Sequence, residues 1–183
     1  MPLGHSDDGR RNPKPLDWPH PFELLRDADE ETRRFRGFTL VETLVVIALL
    51  ASTLSYARSE ALRRGARVTV CRLDSARHCL AAGQPCGNGV TDWSCGWAVM
   101  AERGSTSTLL RAQPSLAAVS IVGAQTNLTF TPPVGQLIGA FRSFDIALRA
   151  PSRATQDDKW KRCIRVAVGG RARVTEGACG AMS

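Results

Sequence analysis

The feature that most restricts this chain is an apolar run of 20 residues, from Phe38 to Ala57, which contains a single side chain that is charged at neutral pH, Glu42. A helix of that length spans about 30 Å, the thickness of the hydrocarbon core of a bilayer. A cleaved secretory signal would be shorter and would end in small residues. The run therefore predicts a transmembrane helix. Three arginines within residues 33–36 favour a cytoplasmic N-terminus and an exported C-terminal part.

The 37 residues before the apolar run differ in composition from the rest of the chain. They hold 7 Lys+Arg and 8 Asp+Glu, a net charge of −1. Subtracting them from the whole-chain totals of 24 and 17 leaves 17 against 9, or +8, for residues 38–183. The basic character therefore belongs to the part that follows residue 37. Such a charge permits binding to nucleic acid, to an anionic surface or to an acidic partner, without choosing among them.

Glu42 is the anomaly within the apolar run. A carboxylate inside a membrane helix costs about 2–3 kcal/mol at mid-helix and less near the helix end, so such residues usually have a functional partner. The alternative is a glutamate that lies among the lipid headgroups. The residues around Glu42 favour the first interpretation.

The segment Arg36-Gly37-Phe38-Thr39-Leu40-Val41-Glu42 resembles the type III signal of type IV prepilins and type II secretion pseudopilins. The resemblance implies that prepilin peptidase cuts after Gly37 and methylates the new N-terminal amine of Phe38. Glycine leaves the cleavage site without a side chain. Glu42, then the fifth residue, would pair with the amine of a neighbouring subunit, because a paired charge is much cheaper in low dielectric than an unpaired one. The implied partners are the peptidase, other pilins of the filament and the inner membrane.

The helix is predicted to continue beyond the membrane. Many pilins carry a kinking proline about 21 residues after the cleavage site, whereas this chain has Ser59 there and no proline in residues 22–84. We expect an unbroken helix toward Arg67, with Leu62 and Ala66 facing the globular domain. The predicted divisions are a leader (1–37), a transmembrane half-helix (38–57), its periplasmic continuation (58–67) and a periplasmic β-rich domain (68–183).

The exported part is predicted to add short antiparallel strands to this helix, which gives an α+β fold. Several apolar segments alternate with polar residues and are separated by Gly, Pro, Ser, Asn and Asp. No P-loop, GxSxG or HExxH motif is present, and only one histidine, His78, lies outside the leader. We therefore predict no catalytic residues and no cofactor. The expected strands contain 68–70, 97–100, 109–111, 128–130, 144–148 and 163–168.

The order of motifs after the signal narrows the resemblance. Cys71, the segment Trp93-Ser94-Cys95-Gly96-Trp97, and the later segment Leu128-Thr129-Phe130-Thr131-Pro132 follow each other as in the GspH/FimT family of minor pseudopilins. This implies a pilin-like subunit of a type II secretion system or a type IV pilus. An ordinary membrane-tethered periplasmic protein is the weaker alternative. The two tryptophans are expected to close the core or a hairpin.

Six cysteines follow the anchor, and in an oxidising periplasm an even number predicts disulfides. The alternative is a zinc site, but no CxxC pair is present and His78 has no matching histidine. We therefore predict disulfides and no metal. Fifteen pairings of six cysteines are conceivable, and all of them stay open at this point. The candidates are Cys71, Cys79, Cys86, Cys95, Cys163 and Cys179.

The C-terminal residues 159–183 carry six cations against one acid, Glu176. Gly169-Gly170 favours a tight turn between two strands, and a bond between Cys163 and Cys179 would close the hairpin ends, with a gain of roughly 3 kcal/mol. The segment Gly170-Arg171-Ala172-Arg173 matches a motif that, in the FimT branch of the family, is associated with binding incoming DNA. The alternative is a solvated strand face. Binding would be to double-stranded DNA, driven by phosphates, sequence-independent and salt-sensitive. The candidate residues are Arg171, Arg173, Arg165, Lys161 and Arg162.

Overall fold

A computed structural model describes residues 21–139, 142–149 and 157–180, with side chains from residue 41 onward. Over these ranges the chain forms one α-helix, nine strands and a short 3₁₀ helix, Asp158–Trp160. The helix, α1, comprises Pro21–Arg64. The strands are β1 (Val68–Arg72), β2 (Trp97–Arg103), β3 (Thr106–Gln113), β4 (Val119–Gly123), β5 (Asn127–Thr131), β6 (Gln136–Leu137), β7 (Arg142–Leu148), β8 (Arg162–Val166) and β9 (Ala172–Glu176).

Helix α1 is continuous for 44 residues, as the absence of an internal proline predicts. It ends at Arg64, three residues before the predicted end, because Gly65 takes a left-handed conformation (φ 59°) that terminates helices. The chain divides into two compact units, Met1–Gly37 and Phe38–Ser183. This boundary coincides with the predicted cleavage point, and residues 1–20 of the predicted leader lie outside the described part.

The strands form two antiparallel sheets, which confirms the α+β prediction. A five-stranded sheet has the order β3-β2-β1-β5-β6, and a four-stranded sheet has the order β4-β7-β8-β9. The two sheets meet where the Leu137 amide donates to the Val168 carbonyl at 2.9 Å. All six predicted strand segments lie wholly or mainly in these sheets, while β4 and β6 escaped the sequence analysis.

One face of α1 is built into the core between these sheets. Leu50, Leu54, Ala57 and Ala61 are fully buried, at the spacings of four and three residues that place side chains on one helix face. The prediction for Leu62 was wrong, because this side chain is 41% exposed. It lies one position beyond Ala61 and is therefore rotated by about 100° away from the core.

The packing does not separate a membrane half of the helix from a periplasmic half at residue 57. Thr53 lies inside the predicted anchor, yet it is buried and accepts a hydrogen bond from the Trp97 indole at 3.3 Å. The exposed side chains also change along the helix. They are apolar at Val41, Leu44 and Val45, but serines follow at positions 52, 55 and 59. One face of residues 46–57 therefore belongs to the domain core as well as to the predicted span.

Candidate assembly helix and basic hairpin

The predicted signal residues lie within α1. Gly37 and Phe38 are helical, and the Phe38 side chain is outside the described part. Glu42 follows Phe38 by four residues, a rise of about 6 Å, and is partly exposed. Among residues with described side chains, no ion pair involves Glu42. Within this part of the chain the carboxylate is therefore left without a charged partner.

An apolar surface surrounds Glu42. Val41, Leu44 and Val45 expose 59%, 52% and 50% of their surface. Exposed aliphatic side chains clustered on one helix segment indicate contact with lipid or with another protein. By length and composition, the described stretch Val41–Arg64 is also sufficient to cross a membrane. The middle of α1, where the described side chains begin, therefore combines a candidate anchor with a carboxylate that has no ion-pair partner among those side chains.

The six cysteines form three disulfides, as the even count predicts: Cys71–Cys79, Cys86–Cys95 and Cys163–Cys179. No thiol remains free. Among the described residues there is also no group of His, Cys, Asp and Glu that could hold a metal ion. The first two bonds secure the long connection between β1 and β2, and the third secures the hairpin β8–β9. The cysteines thus brace the domain.

Asp92 organises the connection between β1 and β2. Its buried carboxylate accepts hydrogen bonds from the Ser94 amide (2.8 Å), the Ser94 hydroxyl (2.6 Å) and the Asn88 amide (3.0 Å). Burial alone would raise the pKa of the Asp92 carboxyl. The hydrogen bonds from Ser94 and Asn88, with the positive charge of Arg149, outweigh burial and hold this pKa below its usual value. Asp92 is therefore an ionised structural anchor.

The two tryptophans belong to the core, as predicted. Trp93 is fully buried, meets the Phe144 ring edge-on at 5.1 Å between centroids, and donates its indole N–H to the Gln125 carbonyl at 2.8 Å. Trp97 is buried against the helix through Thr53. Both indole N–H groups are thus satisfied inside the protein, so these rings serve packing.

The hairpin β8–β9 presents three arginines on its outer face. Arg165 and Arg173 lie directly opposite each other in the antiparallel register, and both are exposed. Arg171 is exposed just before β9 and has the same parity as Arg173. Within the described ranges, no acidic side chain forms a salt bridge with any of the three. This arrangement concentrates uncompensated positive charge.

The other two predicted cations are placed differently. Arg162 is three residues from Arg165, so it lies on the opposite face of β8, where Glu176 is 3.6 Å away. Lys161 forms an ion pair with Asp158 at 2.8 Å, and the hydrogen bond that its ammonium donates to this carboxylate raises the pKa of Lys161. The structure therefore brings together three of the five predicted residues, and the remaining two are engaged by acids.

The C-terminal segment adds a backbone contribution to this face. Cys179 is held over β7, because its amide donates to the Asp145 carboxylate at 2.6 Å and its sulfur bonds to Cys163 on β8. The Cys179 carbonyl in turn accepts a hydrogen bond from Arg165 at 3.4 Å. Sequence reasoning missed Asp145 here, because nothing in a strand pattern shows that a distant segment will cross that strand.

An apolar helical stretch packed on two antiparallel sheets, with a carboxylate that forms no ion pair among the described side chains near the start of that stretch, defines a membrane-anchored subunit of the pilin type. The chain belongs to the family of the type II transport protein GspH, whose model matches residues 47–170. A second model, the prokaryotic N-terminal methylation motif, matches residues 32–55. No curated protein matches the chain.

Two crystal forms of the type IV minor pilin FimU from Pseudomonas aeruginosa strain PAO1 have a similar fold. One matches with a TM-score of 0.51 and 21% identity, covering 70% of this chain and 88% of FimU. The other matches with a TM-score of 0.53 and 20% identity, covering 76% and 90%. At this identity the likeness concerns the fold alone.

Together these findings make the chain a minor pilin or pseudopilin of a type II secretion system or a type IV pilus. Its family consists of structural subunits, and the methylation motif implies processing by prepilin peptidase and assembly with other pilins. The single apolar N-terminal helix and the family indicate single-pass anchoring in the inner membrane. The GspH match ends at Gly170, so Arg171 and Arg173 lie beyond it.

Proposed function

We propose that the chain is cut after Gly37, methylated at Phe38, and joins the tip or priming complex of a filament through its N-terminal helix. The leader faces the cytoplasm and the β-rich domain faces the periplasm. The observation that carries this proposal is Glu42, which forms no ion pair with any described side chain and lies four residues after Phe38 within an exposed apolar surface. Cleavage creates the amine that this carboxylate needs in a neighbouring subunit.

The pairing would set the axial position of one subunit against the next. A lone carboxylate among apolar side chains is costly. An ion pair with the amine of a neighbouring subunit offsets that cost. The exposed Val41, Leu44 and Val45 pack against the neighbouring helix in the same contact. The ion pair therefore fixes the axial position of one subunit against the next, and the buried apolar area stabilises the contact between their helices.

The test is co-expression of the full chain with and without prepilin peptidase, followed by N-terminal sequencing of membrane-extracted protein. We expect methylated Phe38 only with the peptidase, and an intact leader in the Gly37→Leu variant. Glu42→Ala should be processed normally but should fail to co-purify with other pilins, whereas Glu102→Ala, a partly exposed control in β2, should co-purify. An intact leader on the wild-type chain in the presence of the peptidase would sink the proposal.

A second candidate function is binding of double-stranded DNA by the outer face of hairpin β8–β9. The observation that favours it is the cross-strand pair Arg165–Arg173, with Arg171 alongside and no acidic partner among the described residues. Like charges directly opposite each other are unfavourable in a sheet, and an anion removes that cost. Guanidinium groups bind phosphates through a fork of donors.

The DNA candidate is tested with the full chain in detergent and duplex DNA at low salt. We expect Arg171→Ala with Arg173→Ala to reduce the slope of log affinity against log salt by roughly two, since about one counterion is released per contact. The matched control is Arg103→Ala with Arg111→Ala, which removes two exposed arginines from the other sheet. Equal behaviour of the two double variants would exclude the hairpin as the binding site.

A further inference from the structure

Arg58 of α1 reaches into the junction of two turns that belong to different sheets. Its Nε donates to the Gly169 carbonyl at 3.1 Å, in the turn between β8 and β9. Its Nη2 donates to the Val134 carbonyl at 3.4 Å, in the turn between β5 and β6. One guanidinium therefore connects the helix with both turns.

Two glycines allow this close approach. Gly170 has φ 77°, and a Cβ there would lie 2.2 Å from the Gly135 carbonyl oxygen and 2.9 Å from Arg58 Cδ. Gly135 has φ 68°, and a Cβ there would lie 2.7 Å from Arg58 Cγ. All three separations are below a normal contact, so neither glycine position admits a side chain without displacing a neighbour. At the adjacent Gly169, by contrast, nothing lies within 4 Å.

The backbone closes the same junction. The Leu137 amide of β6 donates to the Val168 carbonyl at 2.9 Å, and the Gly170 amide donates to the Ala167 carbonyl at 2.8 Å. Gly170 is itself buried, although it opens the segment that carries the exposed arginines. The helix, the β5–β6 turn and the β8–β9 turn therefore meet around the Arg58 side chain.

We propose that Arg58 is a positioning residue that docks the β8–β9 turn onto α1, and that Gly170 serves this docking while Arg171 and Arg173 remain free for a ligand. The motif Gly170-Arg171-Ala172-Arg173 thus has two separate tasks. Arginine suits the first task because its planar fork reaches two carbonyls at once, which a lysine ammonium on a flexible stem does less well. The docking ties the direction of the basic hairpin to the helix that enters the filament.

The test is hydrogen exchange of the full chain in detergent, followed peptide by peptide. Arg58→Ala should accelerate exchange roughly tenfold or more in residues 134–138 and 166–171, because it removes charge-assisted hydrogen bonds from both turns. Arg58→Lys should restore part of the protection. Arg67→Ala, which removes another exposed arginine near the helix end, should leave both turns unchanged.

The two neighbouring glycines supply a second, independent pair of variants. Gly170→Ala should accelerate exchange in the same two turns, whereas Gly169→Ala should not. The double variant Arg58→Ala with Gly170→Ala should be less than additive, since both changes break one junction. Unchanged exchange at both turns in Arg58→Ala, or an equal rise in all strands, would overturn the proposal.

The consequence for ligand binding rests on the proposed DNA-binding function and has its own readout. If the hairpin binds duplex DNA, Arg58→Ala should weaken binding more than Arg67→Ala, although each removes one positive charge. The exchange experiment needs neither DNA nor assembly. A failure of the docking proposal is therefore distinguishable from a failure of the proposed function.

Discussion

The inner face of α1 is apolar and buried, whereas the outer face of hairpin β8–β9 is basic and exposed. Leu50, Leu54 and Ala57 are fully buried, so this face is accounted for by packing within the chain. On the hairpin, Arg165 and Arg173 are exposed and stand opposite each other, where like charges cost stability. The first surface is fully packed within the chain, whereas the second carries positive charge that no described acid neutralises. The contrast separates residues that stabilise the domain from residues that, in our proposal, bind another molecule.

The largest expected effect on stability comes from a change in the buried inner face of α1. Leu54→Ala should lower the free energy of unfolding by about 2–5 kcal/mol, because it leaves a cavity at a fully buried position. Denaturation of the full chain in detergent, followed by tryptophan fluorescence, measures this loss. The control is Leu62→Ala at the 41% exposed position, which should change stability far less. Equal losses would show that the two helix faces do not differ as the structure has them.

The disulfide that closes the hairpin ends should be next in size. Replacing Cys163 and Cys179 together by serine should cost about 3 kcal/mol, because the unfolded chain regains the freedom of a loop of 16 residues. The same replacement at Cys71 and Cys79 opens a loop of 8 and should cost about 0.6 kcal/mol less in the entropic account. Urea denaturation of both double variants without reductant gives the comparison. An unchanged free energy of unfolding in the Cys163 and Cys179 double variant would show that this disulfide does not stabilise the hairpin.

Asp92 gives a pH-dependent test of the braced connection before β2. Its pKa is lower in the folded than in the unfolded chain, so its stabilisation is fully present above the unfolded value and disappears as pH falls through the folded one. Asp92→Asn should cost about 1–3 kcal/mol at neutral pH and should flatten the acid limb of the stability curve. Urea midpoints measured from neutral to acid pH check this. An acid limb unchanged by Asp92→Asn would assign the titration to another group.

The smallest effect on stability is expected from a change in the outer face of hairpin β8–β9. Arg173→Thr should leave stability within about 0.5 kcal/mol, with a slight gain, because it removes the repulsion across from Arg165. Thermal denaturation at low salt shows any gain best, since salt screens the repulsion. A substantial loss of stability would mean that Arg173 supports the fold, and it would remove the contrast between the two surfaces.

The sequence predicted more of the elements than of their contacts. The helix follows from a long stretch without proline, and six strand segments follow from local alternation. Strand β4 was missed although Val119 and Ile121 are buried and Ser120 lies between them. Its assignment depends on pairing with β7, about 25 residues later, and on the Trp93 amide that donates to the Ile121 carbonyl at 2.8 Å. Local periodicity carries no information about such distant partners.

The candidate site shows the same division. The resemblance of Gly37, Phe38 and Glu42 to the prepilin signal needs no tertiary structure, because processing acts on a contiguous segment. The basic residues needed more. All five basic residues lie within a segment of 13 residues, yet only three of them share the outer face of the hairpin. Arg162 lies on the opposite face near Glu176, and Lys161 pairs with Asp158. Charge counts cannot show which cations share a face.

By itself, the sequence determined a methylation motif followed by an apolar helix, an even number of cysteines after that helix, and membership of the pilin-like class, because each depends on residue types and their order along the chain. Tertiary structure alone decided which cysteines pair, that Ala61 and not Leu62 enters the core, and that Arg58 bonds to the Gly169 carbonyl across more than 100 residues. The physical reason is that these contacts close long loops. Their existence depends on the packing of every element in between.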